Sequence, residues 1–183
     1  MKKPLFLLLV VAALVVWIAL RRPSAPPVRH AGELRPAPDF SLTDLAGKKL
    51  RLSNHRGHVV LLDFWATWCD PCKREIPHFV EMQNRYSTQG LQVIGISMDD
   101  DEKLAREFQE QFKMNYPVAM GSTELADQYG GILGLPITFL IDREGRIAVR
   151  HVGATEAAVF EAEIGKLLAS TPVSQSNQRS YYK

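Results

Sequence analysis

The chain has 183 residues, enough for one domain and its tails. Its formal net charge is +2 and its basic residues are scattered, which gives no footing for binding nucleic acid. Hydrophobic residues make up 46%, ample for a core, while two cysteines are too few for a disulfide scaffold.

The chain opens on the basic Met1-Lys2-Lys3, then sixteen uncharged residues, Leu5 to Leu20, then Arg21-Arg22. As a helix that run spans about 24 Å, short of a hydrocarbon core of about 30 Å. Flanking Lys and Arg side chains can reach out to close the gap, and Trp17 suits an interface. The alternative is a cleaved signal peptide. No Ala-x-Ala site ends the run, however, and Trp17-Ile18-Ala19-Leu20-Arg21-Arg22 is a poor cleavage context. The expectation is a signal anchor over residues 1–22, a single-pass transmembrane helix with its N-terminus inside. Arg21-Arg22 on the outer side works against the positive-inside rule, so the orientation rests partly on where the following domain acts. Residues 23–38, with Pro23, Pro26, Pro27, Pro36 and Pro38, read as a semi-extended tether.

The compact domain is expected over residues 39–170. Phe40-Ser41-Leu42 and Leu50-Arg51-Leu52 read as short strands joined by a hairpin-like turn. His58 to Trp65 is too apolar to be half-exposed and predicts a buried strand. Cys72 to Tyr86 carries Ile76, Phe79, Val80 and Tyr86 on one helical face, and Pro77 is expected to kink it. Leu91 to Met98 predicts a second buried strand. Asp99-Asp100-Asp101 then reads as a solvated helix entry with no further role. Leu104, Phe108 and Phe112 stand four apart along that helix. Tyr116 to Met120 reads as a short strand, and Ser122 or Thr123 as the cap of a short helix reaching Tyr129. Gly130, Gly131 and Gly134 make a flexible approach to Leu135-Pro136. Thr138 to Asp142 and Arg146 to Val152 form a hairpin. Thr155 is the expected cap of a last helix, with Ala157, Phe160, Ile164, Leu167 and Leu168 on one face. This order is that of an α/β sandwich with a mixed sheet. Residues 171–183 are polar and read as a disordered tail.

Both cysteines lie in Trp68-Cys69-Asp70-Pro71-Cys72, straight after the first buried strand. Two intervening residues let the sulfurs meet across one turn. Pro71 suits a first helical turn, where its missing N–H costs nothing. At a helix start Cys69 receives free N–H groups and the positive end of the dipole, which lowers a thiol pKa. Cys72, one turn in, is expected to be more buried and to act as the resolving thiol. A zinc site would need two more ligands, and His78 stands six residues past Cys72, outside finger spacing. A purely structural disulfide is the other alternative.

Asp63-Phe64-Trp65-Ala66-Thr67-Trp68-Cys69-Asp70-Pro71-Cys72 resembles the thioredoxin signature, and Pro77 matches the proline of that family's first helix. The chain is more closely similar to the TlpA/ResA-like membrane-anchored thioredoxins. That resemblance rests on Cys-Asp-Pro-Cys-Lys-Arg-Glu (69–75), on Gly-Leu-Pro-Ile-Thr-Phe-Leu-Ile-Asp (134–142) and on the leading apolar segment. It implies a thioredoxin-like fold: a central mixed β-sheet flanked by helices, an N-terminal β-hairpin capping one edge, and a central insert between Cys72 and Pro136. It implies that Cys69 and Cys72 are catalytic. Asp63 matches the buried acid of thioredoxin, and Glu75 the active-site acid of ResA-like proteins. That group often carries Asn where this chain has Asp63, so this chain holds both acids and which one handles the proton stays open. The competing expectations are an Asp63 facing solvent at a strand end and a Glu75 on an ordinary exposed helix face. A cis Leu135–Pro136 bond beside the cysteines is implied, against a trans loop proline. Trp68, Asp70, Pro71, Leu135 and Pro136 are expected to meet the substrate. No metal and no cofactor is expected; the domain shows no flavin or nicotinamide motif, so its electrons are expected from a separate thiol donor.

Asp63, Asp70 and Glu75 disfavour thiolate and make the couple more reducing, while Lys73 and Arg74 push the other way from the helix surface. The expectation is a monomeric, membrane-anchored thiol-disulfide oxidoreductase acting as a reductase. Its redox domain would face the periplasm or cell exterior, held to the cytoplasmic (inner) membrane by the N-terminal helix. By family analogy its partners are oxidised exported proteins, with apocytochrome c and cytochrome c maturation in view, and a transmembrane thiol electron donor. Two alternatives stand beside it. One is a peroxiredoxin-like thiol peroxidase, whose chemistry wants a peroxidatic Cys outside a Cys-x-x-Cys motif. The other is a non-catalytic, thiol-dependent assembly factor.

Overall fold

A computed structural model describes residues 34–170. The expected anchor over 1–22, the tether up to residue 33 and the expected tail over 171–183 lie outside the described residues. The last part of that tether belongs to the fold. Arg35–Pro36 (β1) pairs with the final strand, and Ala37 is buried. The boundary expected at residue 38 therefore falls too late. Pro36 lacks a donor, but an edge strand does not require one there. Among the described residues no helix is long and apolar enough to cross a membrane.

β2 (Ser41–Thr43) and β3 (Lys49–Arg51) form an antiparallel hairpin. β4 (Val59–Trp65) runs parallel to β5 (Leu91–Ser97), and β5 parallel to β6 (Val118–Met120). β7 (Ile137–Ile141) pairs antiparallel with β4, and β8 (Arg146–Val152) antiparallel with β7. These strands and β1 make one six-stranded mixed sheet in the order β1-β8-β7-β4-β5-β6. The hairpin lies at the β6 edge: Leu45 N–H donates to the Val118 carbonyl at 2.7 Å, and Asp44 bridges Ala119. It thereby covers backbone groups that an open edge would leave unpaired.

All seven residues of β4 are buried. A strand covered on both faces reads as a nearly continuous apolar run, which explains its composition. Alternation sorts its side chains. Val59, Leu61 and Trp65 share one core with α1 (Asp70–Tyr86), α2 (Glu102–Gln111) and α4 (Ala157–Ala169). Val60, Leu62 and Phe64 share the other with the hairpin and α3 (Thr123–Gln128). Asp63 has the parity of Leu61 and Trp65, so it points toward α1.

Three local details depart from expectation. α1 begins at Asp70, two residues before the expected start at Cys72, and carries Pro77 inside it. α2 buries Ala105 and Phe108, with Phe112 stacked on Phe108 at 4.1 Å, while Leu104 faces solvent. Steps of four drift about 40° each around a 3.6-residue turn, which carries the first of the row off the buried face. Thr155 does not cap α4. Its Oγ1 turns back to the Gly153 carbonyl and its N–H is taken by Glu75, while the N-cap position, Glu156, makes no side-chain cap.

Candidate active site

The chain leaves β4 at Trp65 and enters α1 at Asp70, with Trp68 and Cys69 in the connection. Asp99, just past β5, holds this connection in place. Its carboxylate accepts from the Thr67 N–H at 3.1 and 3.0 Å, from Thr67 Oγ1 at 2.7 Å and from Ser97 Oγ at 2.8 Å. Asp99 is buried, so the first member of the acidic run is not part of a solvated helix entry. Asp101 caps α2 through the Lys103 N–H at 2.8 Å.

Cys69 occupies the N-cap of α1 with extended backbone, and Cys72 lies in the first turn with Pro71. Their sulfurs are bonded at 1.98 Å, with Cα atoms 5.3 Å apart. The Cys72 N–H donates to Cys69 Sγ at 3.3 Å. An N–H aimed at this sulfur, together with the positive end of the helix dipole, favours thiolate at Cys69 once the bond opens. Cys72 is fully enclosed and Cys69 is 4% exposed, so the outer sulfur is less open than its place at a helix end leads one to expect. Trp68 beside it is 67% exposed. Asp70 is exposed and pairs with Lys73 at 2.9 Å, a bond that holds its carboxyl below the usual range.

Two acids are buried near the start of α1: Asp63 on β4, on the face toward that helix, and Glu75 one turn past Cys72. Asp63 is 2% exposed and accepts from Thr138 Oγ1 at 3.0 Å, the residue directly opposite it on β7. Burial first, and the Glu75 charge second, push its pKa up to about 8, against the Thr138 hydrogen bond. Glu75 is buried as well: Oε1 accepts from the Thr155 N–H at 2.6 Å, and Oε2 has no hydrogen-bond partner among the described residues. Burial raises its pKa, offset by the Thr155 N–H and by His151, Arg74 and His78. Neither acid faces solvent.

The Leu135–Pro136 peptide is cis. Pro136 is buried, and its carbonyl accepts from the Gly153 N–H at 2.9 Å. Ile137 lies opposite Phe64. Continuing that register sets Pro136 alongside Trp65, at the strand end that feeds Trp68 and Cys69. Leu135 packs against the core that contains both cysteines. One end of the sheet thus brings the cis Leu135–Pro136 bond alongside Trp65, where the chain runs on into Trp68 and Cys69. Sequence reasoning gave Asp99, Thr138 and Thr155 no role in the site. Asp99 had a signal, as the first acid past a buried strand end. The other two depend on pairing that appears only in the fold.

The AhpC/TSA family model matches residues 34–150. The thiol-disulfide oxidoreductase ResA of Bacillus cereus (strain ZK / E33L) is 34% identical over 132 residues, 72% of this chain and 76% of that one. ResA of Bacillus subtilis (strain 168) is 34% identical over 127 residues, 68% of this chain and 70% of that one. Among solved structures, a thioredoxin-family thiol:disulfide interchange protein from Chlorobium tepidum TLS aligns with a TM-score of 0.70 at 30% identity, covering 75% of this chain and 98% of its own. The chain belongs to the AhpC/TSA family of the thioredoxin superfamily, and within it is a ResA-like thiol-disulfide oxidoreductase.

Proposed function

We propose that this protein is a disulfide reductase that acts outside the cytoplasm while held to the cytoplasmic membrane by the segment at residues 1–22. The observation that carries this reading is a disulfide at the mouth of α1 accompanied by two buried acids, Asp63 on the face of β4 that points toward α1 and Glu75 one turn past Cys72. In the reduced protein, the Cys69 thiolate attacks a partner disulfide and forms a mixed disulfide, releasing one partner sulfur as thiolate. The Cys72 thiol gives its proton to the Asp63 carboxylate, and the new thiolate attacks Cys69 Sγ. The second partner sulfur leaves as thiolate and takes a proton from water. Two electrons have passed to the partner, and the Cys69–Cys72 disulfide remains. Glu75 sets the field in which Asp63 titrates.

Buried acids beside the pair disfavour thiolate in the reduced protein and hold the couple on the reducing side. Trp68, Asp70 and Pro71 flank the cysteines along the chain and, with Leu135 and Pro136, form the contact face for an extended partner chain. The partners are oxidised exported proteins, apocytochrome c among them, and a transmembrane thiol donor resupplies the electrons. The chain acts as a monomer.

The variant Cys72→Ser, expressed with its anchor, tests this. It is expected to hold an exported protein as a mixed disulfide on Cys69, identified by mass spectrometry. Equilibration with glutathione is expected to place the potential below about −180 mV, the range of protein disulfide isomerase. A higher potential would reject the reductase direction.

A further inference from the structure

Asp63 is enclosed, so a proton it takes from Cys72 needs a way out. The β5 side offers none. Trp65 Nε1 is a donor only, and both it and the Tyr116 hydroxyl are buried without a partner among the described residues. The β7 side differs. Thr138 stands opposite Asp63 and His151 stands opposite Thr138, which sets three polar side chains in a row across β4, β7 and β8. Directly opposed residues in antiparallel strands have Cβ atoms about 4.5–5.5 Å apart. His151 points to the α4 side of the sheet, where its ring meets Phe160 at 4.9 Å. Its Nε2 lies 2.7 Å from Glu163 Oε2, and these two side chains are 15% and 25% exposed. An imidazole that donates from Nε2 to a carboxylate keeps Nδ1 as an acceptor. A threonine hydroxyl both accepts and donates.

We propose that Thr138, His151 and Glu163 form a proton path that connects Asp63 with solvent across β7 and β8. The path rests on the reading of Asp63 as the group that takes the Cys72 proton. In the outward direction, the Asp63 carboxylic acid passes its proton to Thr138 Oγ1. The hydroxyl's own proton passes to His151 Nδ1. The imidazolium then releases a proton to solvent on the Glu163 side, and the neutral ring resets its tautomer by exchange with water. Asp63 ends as carboxylate, Thr138 and His151 end neutral, and no electrons move. The charged groups facing this row are Glu75 from α1, whose carboxyl also feels His151, Arg74 and His78, and Glu163 from α4. None of the three path residues touches the reacting sulfurs. They are positioning residues that act through Asp63.

Stopped-flow mixing of the reduced protein with a symmetrical aryl disulfide that releases a coloured thiolate resolves the two steps. A first burst reports attack by Cys69, and a second reports closure by Cys72. In His151→Phe the second burst is expected to slow by about tenfold or more, with the first burst and the equilibrium potential unchanged. Free imidazole is expected to restore the second burst in His151→Ala. Thr138→Val is expected to slow it as His151→Phe does, and Thr138→Ser to retain it. A wild-type second burst in His151→Phe overturns the path, as does a loss in His151→Ala that imidazole does not restore. Asp63→Asn separates the two levels. If it leaves the second burst untouched, the reading of Asp63 as proton acceptor fails; if it slows that burst while His151→Phe does not, the path alone fails.

Discussion

Replacing Asp63 with Asn removes an ionisable group that the fold holds in an unfavourable place. Its carboxyl titrates at 3.8 as a free side chain and at about 8 in the fold. Between those values an unfolded chain has lost the proton that the native protein keeps. The unfolded state therefore binds fewer protons, and stability falls as pH rises through this window. The slope is about 1.4 kcal/mol per pH unit for one such group. From pH 3.8 to pH 7 the loss is on the order of 4 kcal/mol relative to an uncharged side chain of the same shape. Asn keeps that shape, and its carbonyl oxygen can still accept the Thr138 hydroxyl. Asp63→Asn is therefore expected to match wild type near the acid end, to gain on it steadily, and to level off above about pH 8. Urea unfolding of the oxidised protein across this range, with the m-value checked for constancy, measures the difference. A gain that does not change with pH, or a loss that grows toward alkaline pH, would refute the reasoning. Either would mean that Asp63 is ionised and well solvated at neutral pH.

Closure of the Cys69–Cys72 disulfide is expected to speed up as pH rises toward about 8, because the Asp63 carboxylate that takes the proton becomes populated. A flat stopped-flow profile would contradict this. In Glu75→Gln the same midpoint is expected to move to lower pH, since the Glu75 charge is one cause of the raised Asp63 pKa. Asp99→Ala breaks the hydrogen bonds to Thr67 and Ser97 and is expected to cost about 2–4 kcal/mol in urea unfolding, with slower attack by Cys69 as the connection from β4 loosens. At Gly95 a Cβ would lie 3.0 Å from Trp65 Nε1 and 3.3 Å from Val118 Cγ2. Gly95→Ala is therefore expected to destabilise by about 1–3 kcal/mol through overpacking, measured by the same unfolding.

What could be read from the residues is what is local. The apolar run of β4, the two cysteines one turn apart, Pro71 in a first turn and the face of α4 each need only neighbouring positions to declare themselves. The contacts that finish the site span long stretches of chain. Thr67 and Asp99 are 32 positions apart, Asp63 and Thr138 75, and Glu75 and Thr155 80. They depend on strand order and register, which a single sequence does not reveal. Thr155 shows the limit well. Its place ahead of an apolar helix reads as a cap, yet the buried Glu75 carboxylate takes its N–H and Glu156 stands at the N-cap instead. Proline content likewise marked residues 35–38 as tether, although a donor-free residue is tolerated on an edge strand and the chain pairs there.

The chemistry of this protein turns on the sulfur at the mouth of α1 being the reactive one. Brief treatment of the reduced protein with iodoacetamide at neutral pH, followed by peptide mapping, tests that most directly. Label is expected on Cys69 well before Cys72. Label on Cys72 first, or on neither sulfur, would contradict it.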